Sequence, residues 1–491
     1  MMKTHNPVTN SGYSEHGASR SKASLLKWLA SSKSAHEDIS ENVELLRTRS
    51  RDLYSGGAPL GKGAIDRIVL NALGSGLRLN VRIDPRLLNM SEQQAIDWAA
   101  KTEAEFDYWA SSKFADHGQE MTFYELQQLA LKSILIDGEC LAILRRPSLE
   151  MFTNHEVSLN IQLIEAERIQ TPASRKPYIW DEGVALDKDG TVIGYNIKNR
   201  NPNAELAGQP KLEDVFFDIT ETSTFEILHI FQRERIGQHR GVPFLAPVIE
   251  QLKQLSRYTD AELMSAVVSG MYSIFFEHAP REDGVYSEDE YAVESNFGES
   301  LEGITADMMM GAIMDLPEGV KATSLSPGRP NQNFGQFIES LAHQIGGALG
   351  IPQELLYLHF TASYSASRGA LLEAWKLFKY WRGWFAESFC KPVYEAFLNE
   401  AVSLGRIDAP LYYKDDFHAK LYSWATWVGP SQGQLDPVKE VDAAVLKISN
   451  NLSTYQREAG ELIGEDWDLI AAQKRRELDV LKNSGLLSED V

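Results

Sequence analysis

The chain has 491 residues, 43% of them hydrophobic and 10% aromatic, enough for two or more packed regions and unlike a disordered tail protein. Its formal net charge of −21 disfavours a static DNA clamp, because tight duplex binding needs Lys and Arg to displace counterions from phosphates. The two cysteines, Cys140 and Cys390, lie among apolar neighbours and exclude a disulfide framework, and no apolar run approaches the roughly 18 to 20 residues that span a bilayer; the chain reads as made in the cytosol, with no membrane partner.

Residues 1–35, rich in Ser, Lys, His and Asn, read as a flexible N-terminal arm. A helical pattern over 38–73 is broken by Ser55-Gly56-Gly57-Ala58-Pro59, and Gly74-Ser75-Gly76 leads into strict alternation over 77–83, a strand with one wet face. Two helices follow at about 91–115 and 122–137, each opening at a Ser or Thr with Glu or Gln soon after, as an N-terminal cap prefers. Strands are expected at 140–144, 159–164, 183–186, 192–198 and 225–231, with Asp187-Lys188-Asp189-Gly190 as a hairpin turn. The first half is therefore mixed, and the fold class is α+β.

From Leu245, apolar positions 245, 248, 249, 252 and 255 mark a helix running to about residue 270. Between 280 and 302, eight acidic residues against one Arg indicate an insertion or small subdomain, and 312–316 with 320–325 read as a hairpin. Phe334, Phe337, Ile338, Leu341, Ile345 and Leu349 form another helical stripe that stops before Pro352. The longest helical pattern starts near Arg368 and runs through Leu371, Trp375, Phe378, Trp381, Phe385 and Phe389 to Leu404, with a kink expected at Pro392. The remainder reads as an aromatic strand pair over 411–428, the cap Leu435-Asp436-Pro437, and helices at 438–450, 453–463 and 466–484.

Tests for chemistry return little. The run Ser363-Tyr364-Ser365-Ala366-Ser367-Arg368 lacks the G-x-S-x-G elbow of a nucleophilic serine. Gly56 to Gly63 nearly matches a phosphate-binding loop, but Gly63 stands where a magnesium-ligating Ser or Thr belongs. Asp187-Lys188-Asp189-Gly190 opens like a calcium loop without the later acidic ligand. The histidines show no zinc spacing, the acidic run 282–302 reads as a solvated loop, and Met308-Met309-Met310 reads as core or subunit contact. No catalytic residue, metal ligand or cofactor is assigned. The competing readings are a soluble hydrolase or nucleotide-binding enzyme using Lys62 or Ser365, and an acidic scaffolding or adaptor protein.

The order of short segments says more than any one of them. Arg49-Ser50-Arg51-Asp52-Leu53, Gly74-Ser75-Gly76-Leu77-Arg78-Leu79, Asp137-Gly138-Glu139, Gly183-Val184 with Asp189-Gly190, Arg240-Gly241-Val242-Pro243, Gly350-Ile351-Pro352, Tyr364-Ser365-Ala366-Ser367-Arg368 and Asp436-Pro437-Val438-Lys439-Glu440 occur in one series. Together they resemble the portal proteins of lambda-type tailed phages. That resemblance implies a homo-oligomeric ring, usually of twelve copies, at one capsid vertex of the virion, assembled in the host cytoplasm. It implies the terminase large subunit, the head–tail adaptor, the major capsid protein and double-stranded DNA without sequence specificity as partners, and no hydrolysis by the portal itself. The portal fold would divide the chain into wing (36–240), first stem helix (241–275), clip (276–333), second stem helix (334–350), tunnel loop (351–368), long wing helix (369–405) and C-terminal crown region (406–491).

Under that resemblance the serine run gains a role. No acidic residue lies between Leu355 and Arg368, while His359, Thr361, Ser363, Tyr364, Ser365 and Arg368 offer contacts to phosphate that carry no base information. The plainer alternative is a helix–helix connection in which Ser365 or Ser367 caps a helix starting near Arg368. Lys253 and Arg257, one turn apart on the polar side of the first stem helix, would supply a basic ring or else pair with Asp260 or Glu262.

Overall fold

The computed structural model describes residues 17–484 except 20–21, 29, 147–156, 174–176, 204–210, 220–226, 272–274, 279–319, 324–332, 361–362, 434–436 and 465–466. In chain order it builds α1 (Ala23–Leu26), α2 (Ala35–Asp52), α3 (Pro59–Ala72), β1 (Arg78–Val81), α4 (Glu92–Ala110), α5 (Phe123–Asp137), β2 (Glu139–Arg145), β3 (Asn160–Ile164), β4 (Ile179–Asp181), β5 (Val184–Leu186), β6 (Val192–Lys198), β7 (Asp214–Asp218) and β8 (Ile227–Phe231). There follow α6 (Ile249–Met271), β9 (Phe275–His278), β10 (Val320–Thr323), α7 (Phe334–Leu349), α8 (Gln353–Tyr357), α9 (Tyr364–Phe385), α10 (Lys391–Ser403), α11 (Asp416–Tyr422), β11 (Ala425–Val428), α12 (Pro437–Ser449), α13 (Tyr455–Leu462) and α14 (Trp467–Asn483). Helix and sheet are mixed, as the α+β expectation requires.

Local chemistry explains many boundaries. Ser91 and Thr122 each accept from the backbone three residues on while Gln94 and Glu125 reach back, closing full capping boxes on α4 and α5. Ahead of Pro59 the chain kinks at Gly56, whose φ of 174° is extended rather than helical, and this break within Leu53–Gly57 separates α2 from α3 where the Gly-rich break was expected. A π turn, Ala386–Cys390, comes directly before α10, whose first turn holds Pro392. The expected disturbance at Pro392 is thus a widened turn that accommodates a residue without an N–H.

Two compact units are formed from interleaved segments, residues 1–48, 76–244 and 385–427 in the first and 49–75, 245–384 and 428–491 in the second. In the first, two antiparallel sheets run in the orders β3-β2-β8 and β4-β5-β6-β7. Leu141, Ile143, Ile164, Ile169, Val184, Leu186, Tyr195 and Ile197 form one core. Phe106 makes edge contacts with Phe123, Tyr394 and Phe397, their centroids 5.7, 5.6 and 5.2 Å away.

At the centre of this unit lies Glu139, fully buried. Its carboxylate accepts from Arg47 Nη2 at 2.8 Å, Arg240 Nε at 2.8 Å, Arg240 Nη2 at 2.5 Å, the Gly241 amide at 2.8 Å and His229 Nε2 at 3.1 Å. Burial alone would raise this carboxyl, but the charges of Arg240 and Arg47 and the His229 hydrogen bond hold it well below the ordinary range. Burial also lowers His229, outweighing the pull of Glu139, so the imidazole stays neutral with its proton on Nε2. Arg240 further donates to the carbonyls of Ala166, Ile169 and Glu182, and Arg47 to that of Asp137. The two glycines in this region are required by close approach, since a Cβ on Gly241 would sit 2.0 Å from the Gly138 carbonyl oxygen. The short segments Asp137-Gly138-Glu139 and Arg240-Gly241-Val242-Pro243 therefore meet in one buried ion cluster.

In the second unit, α6 and α7 pack through Tyr258, whose ring lies 5.6 Å from Phe334 and 4.8 Å from Phe337. Arg382 on α9 donates to the carbonyls of Asn71, Ala72 and Pro430, capping α3 with a half-buried cation that desolvation lowers to about 10.

Three expectations need correction. Residues 411–428 are not a strand pair: Asp415 accepts from the His418 amide at 2.9 Å and starts α11, leaving only β11, which pairs with β1. β4 and β7 were not expected. Strand 320–323 pairs antiparallel with β9, Val320 opposite His278; its expected partner 312–316 lies outside the described residues. The helix expected from near Arg368 begins at Tyr364. The acidic run 282–302 and Met308-Met309-Met310 also lie outside the described residues.

Candidate nucleic-acid interface

The segment joining α7 to α9 belongs to the second unit and is shaped by its first residues. α7 ends at Gly350 in the left-handed conformation, φ 70°, and the Ile351 amide returns to the Gly346 carbonyl at 2.9 Å. Gly346 has to be glycine here, because a Cβ would lie 2.5 Å from the Ile351 carbonyl oxygen. Ile351 and Leu356 are buried, Pro352 leads into α8, and Arg67 Nε donates to the Leu355 carbonyl, so the base of the segment is fixed on both sides. Leu358 then takes φ 53°, an unusual value for leucine, and turns the chain outward.

The exposed tip runs from Tyr357 through Leu358, His359 and Phe360. His359 is the one predicted contact residue on it; Thr361 lies outside the described residues. Ser363 is exposed, and its carbonyl accepts the first helical bond of α9 from the Ser367 amide at 2.9 Å. Tyr364, Ser365 and Arg368 are therefore in the opening turns of α9 rather than in a loop, and Ser363 occupies the capping position in place of Ser365 or Ser367. That opening turn carries no acidic residue. The apolar members Leu358 and Phe360 were missed by a sequence reading that sought only phosphate-contacting groups.

The basic residues divide. Lys253 pairs with Asp52 at 3.6 Å instead of Asp260 or Glu262, while Arg257 is exposed and forms no ion pair among the described residues. Arg368 faces Glu440 at 3.6 Å. Lys62, the residue a phosphate loop would use, is engaged by Asp66 at 3.2 Å and sits over the Tyr54 ring. Asp187 spends its carboxylate on the amides of Asp189 and Thr191, which makes it a turn residue, not a calcium ligand. Among the described residues no group of three or more His, Cys, Asp or Glu is arranged to hold a metal ion. Chemically, the arrangement offers an exposed tip free of acid, a helix N-terminus whose dipole favours anions, and one unpaired guanidinium.

A family model described as phage portal protein, lambda family, matches residues 21–382. Portal protein B of Escherichia phage lambda is 24% identical over 483 residues, covering 94% of this chain and 88% of that protein. The portal protein of Escherichia phage N15 is 24% identical over 499 residues, covering 94% and 89%. Among solved structures, a chain in the virion of a native gene transfer agent particle aligns with a TM-score of 0.44 and 15% identity over 85% of this chain and 92% of that one.

Proposed function

Because the chain belongs to the lambda family of phage portal proteins, and is thus a portal protein of a tailed phage or phage-like particle, we propose that its copies close into a ring of about twelve around a lumen that passes duplex DNA. The ring stands at one capsid vertex, inside the major capsid protein shell, and is assembled in the host cytoplasm. DNA enters through it during packaging and leaves during ejection. The terminase large subunit and then the head–tail adaptor dock on it. The family is structural, and the hydrolase alternative is not favoured: Lys62 is held by Asp66, and Ser365 is part of a helix N-terminus. Among the described residues no helix is long and apolar enough to cross a membrane.

On this reading residues 36–240 are wing, α6 and α7 are the two stem helices, 276–333 the clip, 351–368 the tunnel segment, 369–405 the long wing helix and 406–491 the crown region. The observation that carries the channel role is the tip at 357–360 together with the acid-free start of α9, in a chain of net charge −21. Such a surface touches phosphates and lets go cheaply, which suits a polymer that must slide. His359, Thr361, Ser363, Tyr364, Ser365 and Arg368 would make those contacts, with Arg368 having to leave Glu440 to do so, and Arg257 with Lys253 would steady the duplex lower down.

Negative-stain images of the purified chain test the ring: closed rings with a central hole are expected, and a monomer at every concentration overturns it. Particles carrying Lys253→Ala with Arg257→Ala should retain several-fold less DNA after packaging; unchanged packaging and retention removes both residues from the lumen.

A further inference from the structure

Two bare helical surfaces in the second unit fit each other but are not joined within one chain. On α12, Val438, Val441 and Val445 are 71, 45 and 58% exposed at spacings of three and four, and half-buried Ile448 continues the interval. That is a coiled-coil seam facing water. The helix is seated in its own chain beside this seam, where Ala444 is buried, and on the far side, where Lys447 pairs with Glu458 at 3.1 Å. On α14, every residue from 472 to 482 is exposed, three full turns without packing in their own chain. So short a helix is marginal in water without a tertiary partner. Its Leu478 and Leu481 lie three apart, with Lys474 four residues before Leu478.

Charge matches the same pairing. Lys474, Arg475 and Arg476 form no ion pair among the described residues, and neither does Asp442, which flanks the valine seam. Seam and protruding half both measure about 15 Å at 1.5 Å per residue. We propose that the outer half of α14 packs on the α12 seam of a second copy of this chain, with Lys474 and Arg475, which flank its Leu478–Leu481 face, toward Asp442. Both surfaces are bare in one chain, so α14 does not cover its own α12. Donor and acceptor are different faces of one molecule, making the contact head-to-tail, the kind that closes into a ring when the rotation allows. The inference rests on the ring reading only for the number of copies and for closure.

Cysteine pairing tests it. Cys140 and Cys390 are buried and leave the background clean. Chains carrying Val445→Cys and chains carrying Leu478→Cys are co-assembled from a mixture and mildly oxidised. A disulfide-linked dimer is expected from the mixture at least tenfold above either variant alone, and a ladder from the double variant. Val441→Asp should cut the yield several-fold, and Val441→Ile should preserve it. An internally linked monomer from the double variant overturns the inference, as do closed rings without cross-links; that second result leaves the ring intact. A cross-linked dimer without rings supports the contact while refuting the ring, and the absence of both refutes both.

Discussion

Replacing Glu139 by Gln removes one negative charge and almost no volume from the centre of the first unit. Arg47 and Arg240 are then left facing each other, both buried, with hydrogen bonds to carbonyls but no counter-charge. Breaking a buried pair by deleting one partner costs about 3–5 kcal/mol, because the remaining charge has already lost its water. Three cationic or hydrogen-bonding side chains converge on this one carboxylate, so the upper part of the range applies. For a unit of this size the loss lowers Tm by about 10 °C or more. Thermal unfolding of the full-length chain, followed by near-ultraviolet circular dichroism, measures it, with hydrogen exchange at β2 and at Arg240 assigning the loss to this unit. A Tm within about 2 °C of the parent refutes the claim that the carboxylate neutralises both guanidiniums. Arg240→Lys should behave much like Glu139→Gln, because a single ammonium does not reach the carboxylate and the carbonyls of Ala166, Ile169 and Glu182 together.

Acid should act on the same cluster with one sign. His229 is lowered, so below about pH 6.5 the unfolded chain takes a proton the folded chain refuses; Glu139 is also lowered, adding a second loss below about pH 4.3. Tm against pH should be flat above 7 and fall in two stages, with His229→Gln flattening the first; a rise on acidification contradicts this. Gly241→Ala should destabilise by more than about 2 kcal/mol, since its Cβ meets backbone, while Gly383→Ala in α9, with open space around it, should stabilise by about 0.5–1 kcal/mol; urea midpoints compare them. Dilution below ring-forming concentrations should speed hydrogen exchange in α12 and α14 but not in β2, because only the former depend on a second copy.

Much of the fold was legible because its signals are local. Ser91 with Gln94 and Thr122 with Glu125 announce α4 and α5 within four residues, and Asp187 with Gly190 announces the turn between β5 and β6. β7 escaped because Val215-Phe216-Phe217 lacks alternation: Phe216 lies across the sheet against Tyr178 and Trp180, 5.0 and 5.8 Å away, over Gly194, where any Cβ would collide with it. That arrangement needs strands far apart in sequence. The ion cluster escaped for the same reason: Arg47 is 92 positions from Glu139 and Glu139 is 101 from Arg240. The segments around Glu139 and Arg240 were visible as part of a family series, but their meeting was not. Between α7 and α9, composition revealed the lack of acid, whereas the apolar tip depends on a positive φ at Leu358 that nothing in the local sequence requires.

The two units handle their charges and apolar surface in opposite ways, and the difference bears on assembly. The first unit encloses Glu139 in a saturated set of donors, an arrangement that holds one geometry and loses heavily if any member leaves. The second leaves a valine seam, three consecutive cations and a three-turn helix open to solvent. In a monomer those features are liabilities, since exposed apolar stripes invite association and an unpacked helix frays. They cease to be liabilities when a neighbour covers them. A chain that completes part of its packing only through copies of itself couples the folding of that part to assembly, so α12 and α14 become rigid only when a second copy covers them.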